Sequence, residues 1–591
     1  MAEHDLVIRN GTVIDGTGGP RRRADVAVTE GIVTNVGDAD QPRVDGRGTR
    51  EVDADGRLVQ PGFVDIHTHY DGQATWDAHL TPSSWHGVTT VVVGNCGVGF
   101  APVDPGDEER LVQLMEGVED IPGTALHEGL PWTWRSFEDY LDHLDAAPHD
   151  IDLAAYLPHA AVRLNVMGER GVAREPATPD DIAAMAAITR RAVDAGAMGF
   201  SSSRTLNHKT SLGEPTPTLE AELDELVGIA RALGAAGKGI IQLVSDFIDL
   251  DEEFELARAM GAESGRPVSI SIAQARRRPD QWRVLLDRMA EATAEGVTMT
   301  GQVGARPIGV LMGHEATLSP FMYCATYQRL ASRPLADRVT EMRRSEVRAA
   351  ILDEQARIER GDHSVDGQDG VLGSQPRHLT RWHTMFPLGD PPNYEPAAAD
   401  SLAARSERLG VRPAELAYDV LLERDGTALI YIPSLNYARG NLDDVREMLM
   451  HVAAVPGLSD GGAHVGTICD VSFPTTLMQW WGRDRPKGRI PLESLVNKQA
   501  RVTAETVGLL DRGILAPGFK GDVNVIDHDA LTLHVPEIVH DLPAGGRRLI
   551  QRVSGIEHTF VSGVEVTSES TSTGATPGRL VRGARPDPRL A

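Results

Sequence analysis

Residues whose types and spacing could carry chemistry lie far apart in this chain. His67 and His69 stand two apart at the end of PGFVDIHTH. Residues two apart on a strand point to one face, so both imidazoles can meet one metal ion. Cys96 follows the apolar run VVVG and is flanked by glycines in GNCGVG. A thiolate there could ligate a metal, and the glycines let backbone approach closely. Asp460 and His464 sit in PGLSDGGAHVG. A carboxylate beside a metal can take a proton from water. Each feature alone has a bland counterpart: a chance His-x-His, an inert buried thiol, an Asp before a Gly-Gly turn. Cys324 and Cys469 have only the bland reading.

The elements that must position these residues alternate in type. Apolar β-type runs are expected at 59–67, 89–94, 152–157, 197–203, 239–244, 268–273, 297–303 and 455–460. Helical runs lie between several of them. Thr178-Pro179 reads as an N-cap followed by Pro at the first helical position, with Gly196 as the stop. Thr218 is expected to cap the next helix, with Gly234 after it. Strand–helix alternation with apolar strands predicts an α/β protein with a parallel sheet, and eight repeats predict a (β/α)8 barrel of the TIM type. An open doubly wound sheet lacks its usual G-x-G-x-x-G turn here. Catalytic groups of such barrels gather at the C-terminal strand ends. His67, His69, Cys96 and Asp460 all fall there, which favours the functional reading over the bland one.

About 150 residues separate the expected strands seven and eight, far more than a βα loop needs. An inserted subdomain at about 304–430 is therefore expected within the barrel, 59–510. It holds a strongly charged helical pattern at 335–360. Close-spaced strands with Gly turns in 1–58 suggest a small antiparallel sheet. Residues 511–570 return to strands expected to complete it, and 571–591 are expected to be an extended tail.

Composition bounds the function. The 591 residues carry a formal charge of −27, which repels phosphate backbones, so nucleic acid is not an expected partner. A hydrophobic content of 41% with 24% charged residues fits a globular protein. Three unevenly spaced cysteines form no disulfide framework, so a reducing, cytoplasmic setting is expected. There is no signal-peptide pattern at the start and no apolar run of about 18 residues, so a membrane is not an expected partner either. A small-molecule substrate is expected, and self-association into a homo-oligomer is left open.

The ordered blocks DLVIRNGTVIDGTG, PGFVDIHTHYDGQATWD (61–77), GVTTVVVGNCGVGFAP (87–102), GAMGFSSSRT (196–205), GLSDGGAHVG (457–466) and APGFKGDVNVID (516–527) carry a further signal. Together they resemble the metal-dependent amidohydrolase superfamily and, within it, the D-aminoacylase (N-acyl-D-amino-acid deacylase) family. The resemblance implies a (β/α)8 barrel plus a small β-sandwich built from both chain ends. It implies that His67, His69 and Cys96 are metal ligands and that Asp460 is the catalytic aspartate.

The chain departs from that family at two strands. The family supplies a His from strand five and another from strand six, but the corresponding runs here are GIIQLVSD and VSISIAQAR. Strand four, AMGFSSSR, lacks the Lys that hydantoinase-like relatives carboxylate. One divalent metal per subunit, most simply Zn2+, is therefore expected on His67, His69, Asp460 and Cys96. Gln242, Gln274 and His159 are the candidates to replace the missing groups.

The expected reaction is hydrolysis of the amide bond of an N-acyl-(D-)amino acid or a related small N-acyl compound. Asp460 would act as general acid/base. His159 and His464 are candidates to steady the oxyanion, and Arg306, Arg204 and Arg163 to hold a substrate carboxylate. The alternatives are a hydrolase of a cyclic amide, an ester or a larger acylated metabolite, and a non-catalytic metal-binding scaffold.

Overall fold

The computed structural model describes residues 2–38, 40–361 and 378–590. The part of the expected insertion at 362–377 lies outside the described residues. The chain is a mixed α/β structure whose strands fall into a parallel set and a sheet built from both chain ends.

The parallel set runs in chain order through Phe63–Asp65, Val88–Val93, Asp152–Ala155 with its continuation Leu157–Pro158, Gly199–Arg204, Ile240–Ser245, Val268–Ile272, Met299–Val303 and Ala454–Pro456. Each pairs in parallel with the next. A parallel bridge between Thr68 and Gly461 brings the end of the last segment back beside the first. His69 N–H donates to Gly461 O at 2.7 Å, and Asp460 N–H to His67 O at 3.1 Å. The two most distant motifs of the sequence are thus neighbours by main-chain hydrogen bonds. Helices such as Pro179–Ala195, Leu223–Ala236 and Gln281–Ala294 bury one face each against these strands.

The expected strand at 59–67 proves to be two. Leu58–Pro61 pairs with His4–Val13 and Val523–Ile526 in the terminal sheet, and Phe63–Asp65 begins the parallel set. Gly62 sits at the crossing, where a Cβ would come 2.2 Å from Thr89 Oγ1. Both halves are buried, so an unbroken apolar run hides the change of sheet. The terminal sheet orders Thr571–Ser572, Val564–Ser568, Ile556–Val561, Val523–Ile526, Leu58–Pro61, His4–Val13, Arg22–Thr29 and Ile32–Val36, with Gly48–Asp53 also on His4–Val13.

Helix signals fared unequally. Thr178 and Asp181 form a reciprocal cap on Pro179–Ala195, and Gly196 ends that helix at φ 116°. The next helix begins at Leu223 rather than after Thr218 and ends at Gly237 rather than Gly234. The Thr218 hydroxyl is spent on Ser203 O at 2.7 Å, pinning a loop to the fourth parallel strand. The charged pattern at 335–360 divides into Leu335–Met342 and Ser345–Arg360.

Between the seventh and eighth parallel strands, Gly309–Met312, Ile430–Pro433 and Phe386–Pro387 make a separate antiparallel sheet. The helices beside it share an apolar cluster with Phe321, Ile351, Trp382, Tyr418 and Ile430. Residues 578–585 run as a strap under the parallel strands. Gly578, Val581, Gly583 and Arg585 donate backbone N–H groups to His149, Leu153, Gly196 and Gly508, and Leu153 and Leu510 donate back to Arg579 and Arg585. Among the described residues no helix is long and apolar enough to cross a membrane. The three cysteines are free and buried.

Candidate metal centre

His67 and His69 follow the first parallel strand, and their rings lie 5.4 Å apart. Cys96 follows the second. Its backbone is left-handed, φ 57°, between Gly94 and Gly97, which are left-handed too. A Cβ at Gly94 would meet Tyr156 O at 2.2 Å, so glycine is required there twice over. This tight turn swings the thiol inward to 3.3 Å from His67 Nε2. Nitrogen and sulfur donors sharing a tetrahedral Zn2+ stand roughly 3.5 Å apart. Donor atoms of His67, His69 and Cys96 all lie within 4.8 Å of one another, and the side chains are buried.

Asp460 Oδ1 stands 3.6 Å from His67 Nε2, and the Asp460 side chain keeps 13% of its surface exposed. It lies beside the compact trio rather than in it. Asp460 and His464 both adopt left-handed backbone, φ 50° and 49°. Non-glycine residues in that region concentrate at functional sites.

Buried partners aim the histidines. His67 Nδ1 lies 2.6 Å from Gln302 Oε1, an acceptor, so this nitrogen carries the proton and Nε2 presents its lone pair to Cys96 and Asp460. Gln302 comes from the seventh parallel strand, and its amide donates in turn to Ser269 Oγ at 2.9 Å. Glu119, at the end of helix Glu108–Glu119, places Oε1 3.2 Å from His69 Nδ1 and Oε2 3.8 Å from His464 Nε2. The contact to His69 is close but poorly aligned, leaving His69 Nδ1 without a hydrogen bond. Gln242 Oε1 accepts the Cys96 N–H at 2.9 Å and so holds the turn.

The electrostatics fit a cation. Burial, then Asp460 and Asp71, push the Glu119 carboxyl well up. Burial, then Asp470 and Asp65, do the same to Asp460, and burial raises Asp71 to about 7. Among the described residues no Lys or Arg pairs with Glu119, Asp460 or Asp71. Burial lowers His67 to about 4, keeping it neutral. Neutral imidazoles, a buried thiol and uncompensated carboxylates are a donor set suited to a divalent metal. His67, His69 and Cys96 could hold it.

The remaining candidates divide. His464 lies near the centre through Glu119, and burial lowers it to about 4. His159 faces away: Nδ1 meets Ser202 Oγ and Nε2 meets Glu225 Oε1, both at 2.9 Å. Arg163 is buried and bound to the same Glu225. Arg204 forks onto Glu253 at 2.8 Å. Arg306 pairs with Asp470 at 3.0 Å and stacks 3.7 Å from the Tyr394 ring centre. Protein carboxylates thus occupy all three guanidiniums. Gln274 is engaged by Asn436, Ala438 and Asp444.

Sequence reasoning missed Gln302, Glu119, Asp71 and His208. Burial lowers His208 to about 3, with His464 and His67 contributing. It binds Ser203 Oγ at 2.8 Å. The available signal was position: Gln302 stands on an expected strand, and Asp71 follows HTH closely.

Relatives agree with this architecture. The D-aminoacylase of Alcaligenes xylosoxydans xylosoxydans is 28% identical over 98% of this chain and 97% of its own length. The N-acyl-D-glutamate deacylase of the same organism is 27% identical over 98% of this chain and 96% of its own. The crystal structure of N-acyl-D-glutamate deacylase from Bordetella bronchiseptica, complexed with zinc and a phosphonate mimic of its tetrahedral intermediate, superposes with a TM-score of 0.63 at 23% identity. It covers 98% of this chain and 99% of that one. The amidohydrolase family model matches residues 50–567, most of the sequence, and the chain belongs to the amidohydrolase family.

Proposed function

We propose that this protein is a metal-dependent hydrolase that deacylates N-acyl amino acids, with D-configured substrates first, as the names of its relatives suggest. The observation that carries this reading is the meeting of His67, His69 and Cys96 donor atoms within 4.8 Å, with Asp460 3.6 Å from His67. A pure scaffold has no use for that extra carboxylate. We read the fold as a (β/α)8 barrel at about 62–510 with an inserted subdomain at about 304–430. A β-sandwich from 1–61 and 511–572 and a tail at 573–591 complete it.

A divalent cation, most simply Zn2+ and one per subunit, would supply Lewis acidity toward water and the amide carbonyl. The chain does the rest. Asp460 takes the proton from the attacking water on one carboxylate oxygen and returns it to the departing nitrogen. Gln302 keeps His67 in one tautomer, and Gln242 keeps the Cys96 turn closed. We assign His464, 23% exposed and beside Glu119, the role of steadying the oxygen that gains charge.

Incubation of metal-loaded protein with matched N-acyl-D- and N-acyl-L-amino acids, reading released amine, tests the reading. Turnover of D-substrates supports it. Turnover confined to cyclic amides or esters, or none with a fully loaded centre, overturns it.

A further inference from the structure

A second site lies outside the metal centre. A cleft of about 670 Å3 opens between the segment 314–338 and the antiparallel pair Glu537–Leu542 and Gly546–Ile550. Arg333, Arg338, Arg547 and His540 line it, with Glu315 as its acidic lining residue. This is unusual for a chain with 85 acidic and 58 basic residues, in which even the buried Arg163 and Arg306 have carboxylate partners.

Among the described residues none of the three guanidiniums has a carboxylate within ion-pair distance, and Arg547 reaches Asp120 only across Thr317, drawing its carboxyl down against the effect of burial. Arg338 is buried, 7% exposed. It donates to the backbone carbonyls of His314, Ala331 and Arg333 and neighbours the Tyr327 hydroxyl, and its Nε is buried with no hydrogen bond. Arg547 donates to Thr317 Oγ1 at 3.3 Å, and Arg333 is exposed. Among the described residues none of the three forms an ion pair. Glu315 is turned to His540 at 3.8 Å. A buried cation without a counter-charge is costly, and an anion entering the cleft would offset that cost. Guanidinium forks match carboxylate and phosphate oxygens in pairs.

We propose that this cleft binds a small polyanion, a dicarboxylate or a phosphate compound, through Arg333, Arg338 and Arg547. The site also adjoins the metal centre. Thr317, which takes the Arg547 bond, donates to Asp120 Oδ2 at 2.9 Å, and Asp120 follows Glu119.

Calorimetric titration with succinate and with inorganic phosphate separates the two sources of anion. Metal-loaded protein, His67→Ala, Arg333→Ala and Arg547→Ala are compared at fixed ionic strength. Saturable binding of one probe or both is expected, retained in His67→Ala and weakened about tenfold by each arginine change, the worth of a charge-assisted hydrogen bond. The arginine changes lie on the cleft surface and leave buried Arg338 in place, and retained metal content and melting temperature would verify folding. No saturable binding by either probe overturns the proposal. So does binding that His67→Ala abolishes and the arginine changes leave intact, since the anion would then sit at the metal centre.

Discussion

Replacing Gln302 with Leu would test how the metal ligands are aimed. Its Oε1 lies 2.6 Å from His67 Nδ1, and Gln302 and His67 are 0% and 1% exposed. Water therefore cannot take its place. The change removes the acceptor that fixes the His67 tautomer and leaves a buried N–H unpaired, a loss of about 1–3 kcal/mol. At 1.4 kcal/mol per tenfold step this is roughly 5- to 140-fold in metal affinity, which brackets the 10- to 100-fold typical for lost outer partners of ligating histidines. Competition with a coloured chelator measures affinity directly, without reference to turnover. Gln302→Glu keeps an acceptor and should retain affinity. Unchanged affinity in Gln302→Leu would refute the reasoning, because His67 would then need no hydrogen bond to present Nε2.

Other expectations follow from the same geometry. Asp460→Asn should lower turnover per bound metal by about 10²–10⁴, with a much smaller change in KM, checked by steady-state kinetics normalised to metal content. Metal removal should lower the melting temperature, because Glu119, Asp460 and Asp71 are left without a counter-charge. A scan with and without chelator measures this, and about one equivalent of metal should restore the loss. Burial raises Asp120 from 3.8 to about 6. Between those values the folded chain keeps a proton that the unfolded chain has released, so this group makes stability fall as pH rises through the window. Asp120→Asn preserves an acceptor for Thr317 and should flatten that part of the pH dependence of the denaturation midpoint.

The sequence was most readable where neighbours in the chain act together. His67 and His69 share a strand direction, and the glycines around Cys96 announce a tight turn. The cap Thr178–Asp181 spans only three residues. Long-range partnerships had no such local mark. Nothing near Arg204 in the sequence foretells Glu253, and nothing near Arg306 foretells Asp470 across 164 positions. Gln302 and Glu119 reach His67 and His69 from other elements. Gly62 divides an apolar run that looks uniform because both sheets bury it. Periodicity reports burial, not which sheet does the burying.

The strap at 578–585 bears on how the molecule is made. A ribosome delivers those residues after every parallel strand has emerged. Until then Leu153 has both main-chain groups open, and the carbonyls of His149, Gly196 and Gly508 lack their donors. A growing chain can therefore collapse around its apolar interior yet stay unsealed at the base. The last stitches come from residues 578–585. A product cut short before residue 578 would keep every metal ligand and still display unpaired backbone, the kind of edge that chaperones and proteases seize. Closure of the base therefore waits on residues 578–585, a segment that follows every parallel strand in the chain.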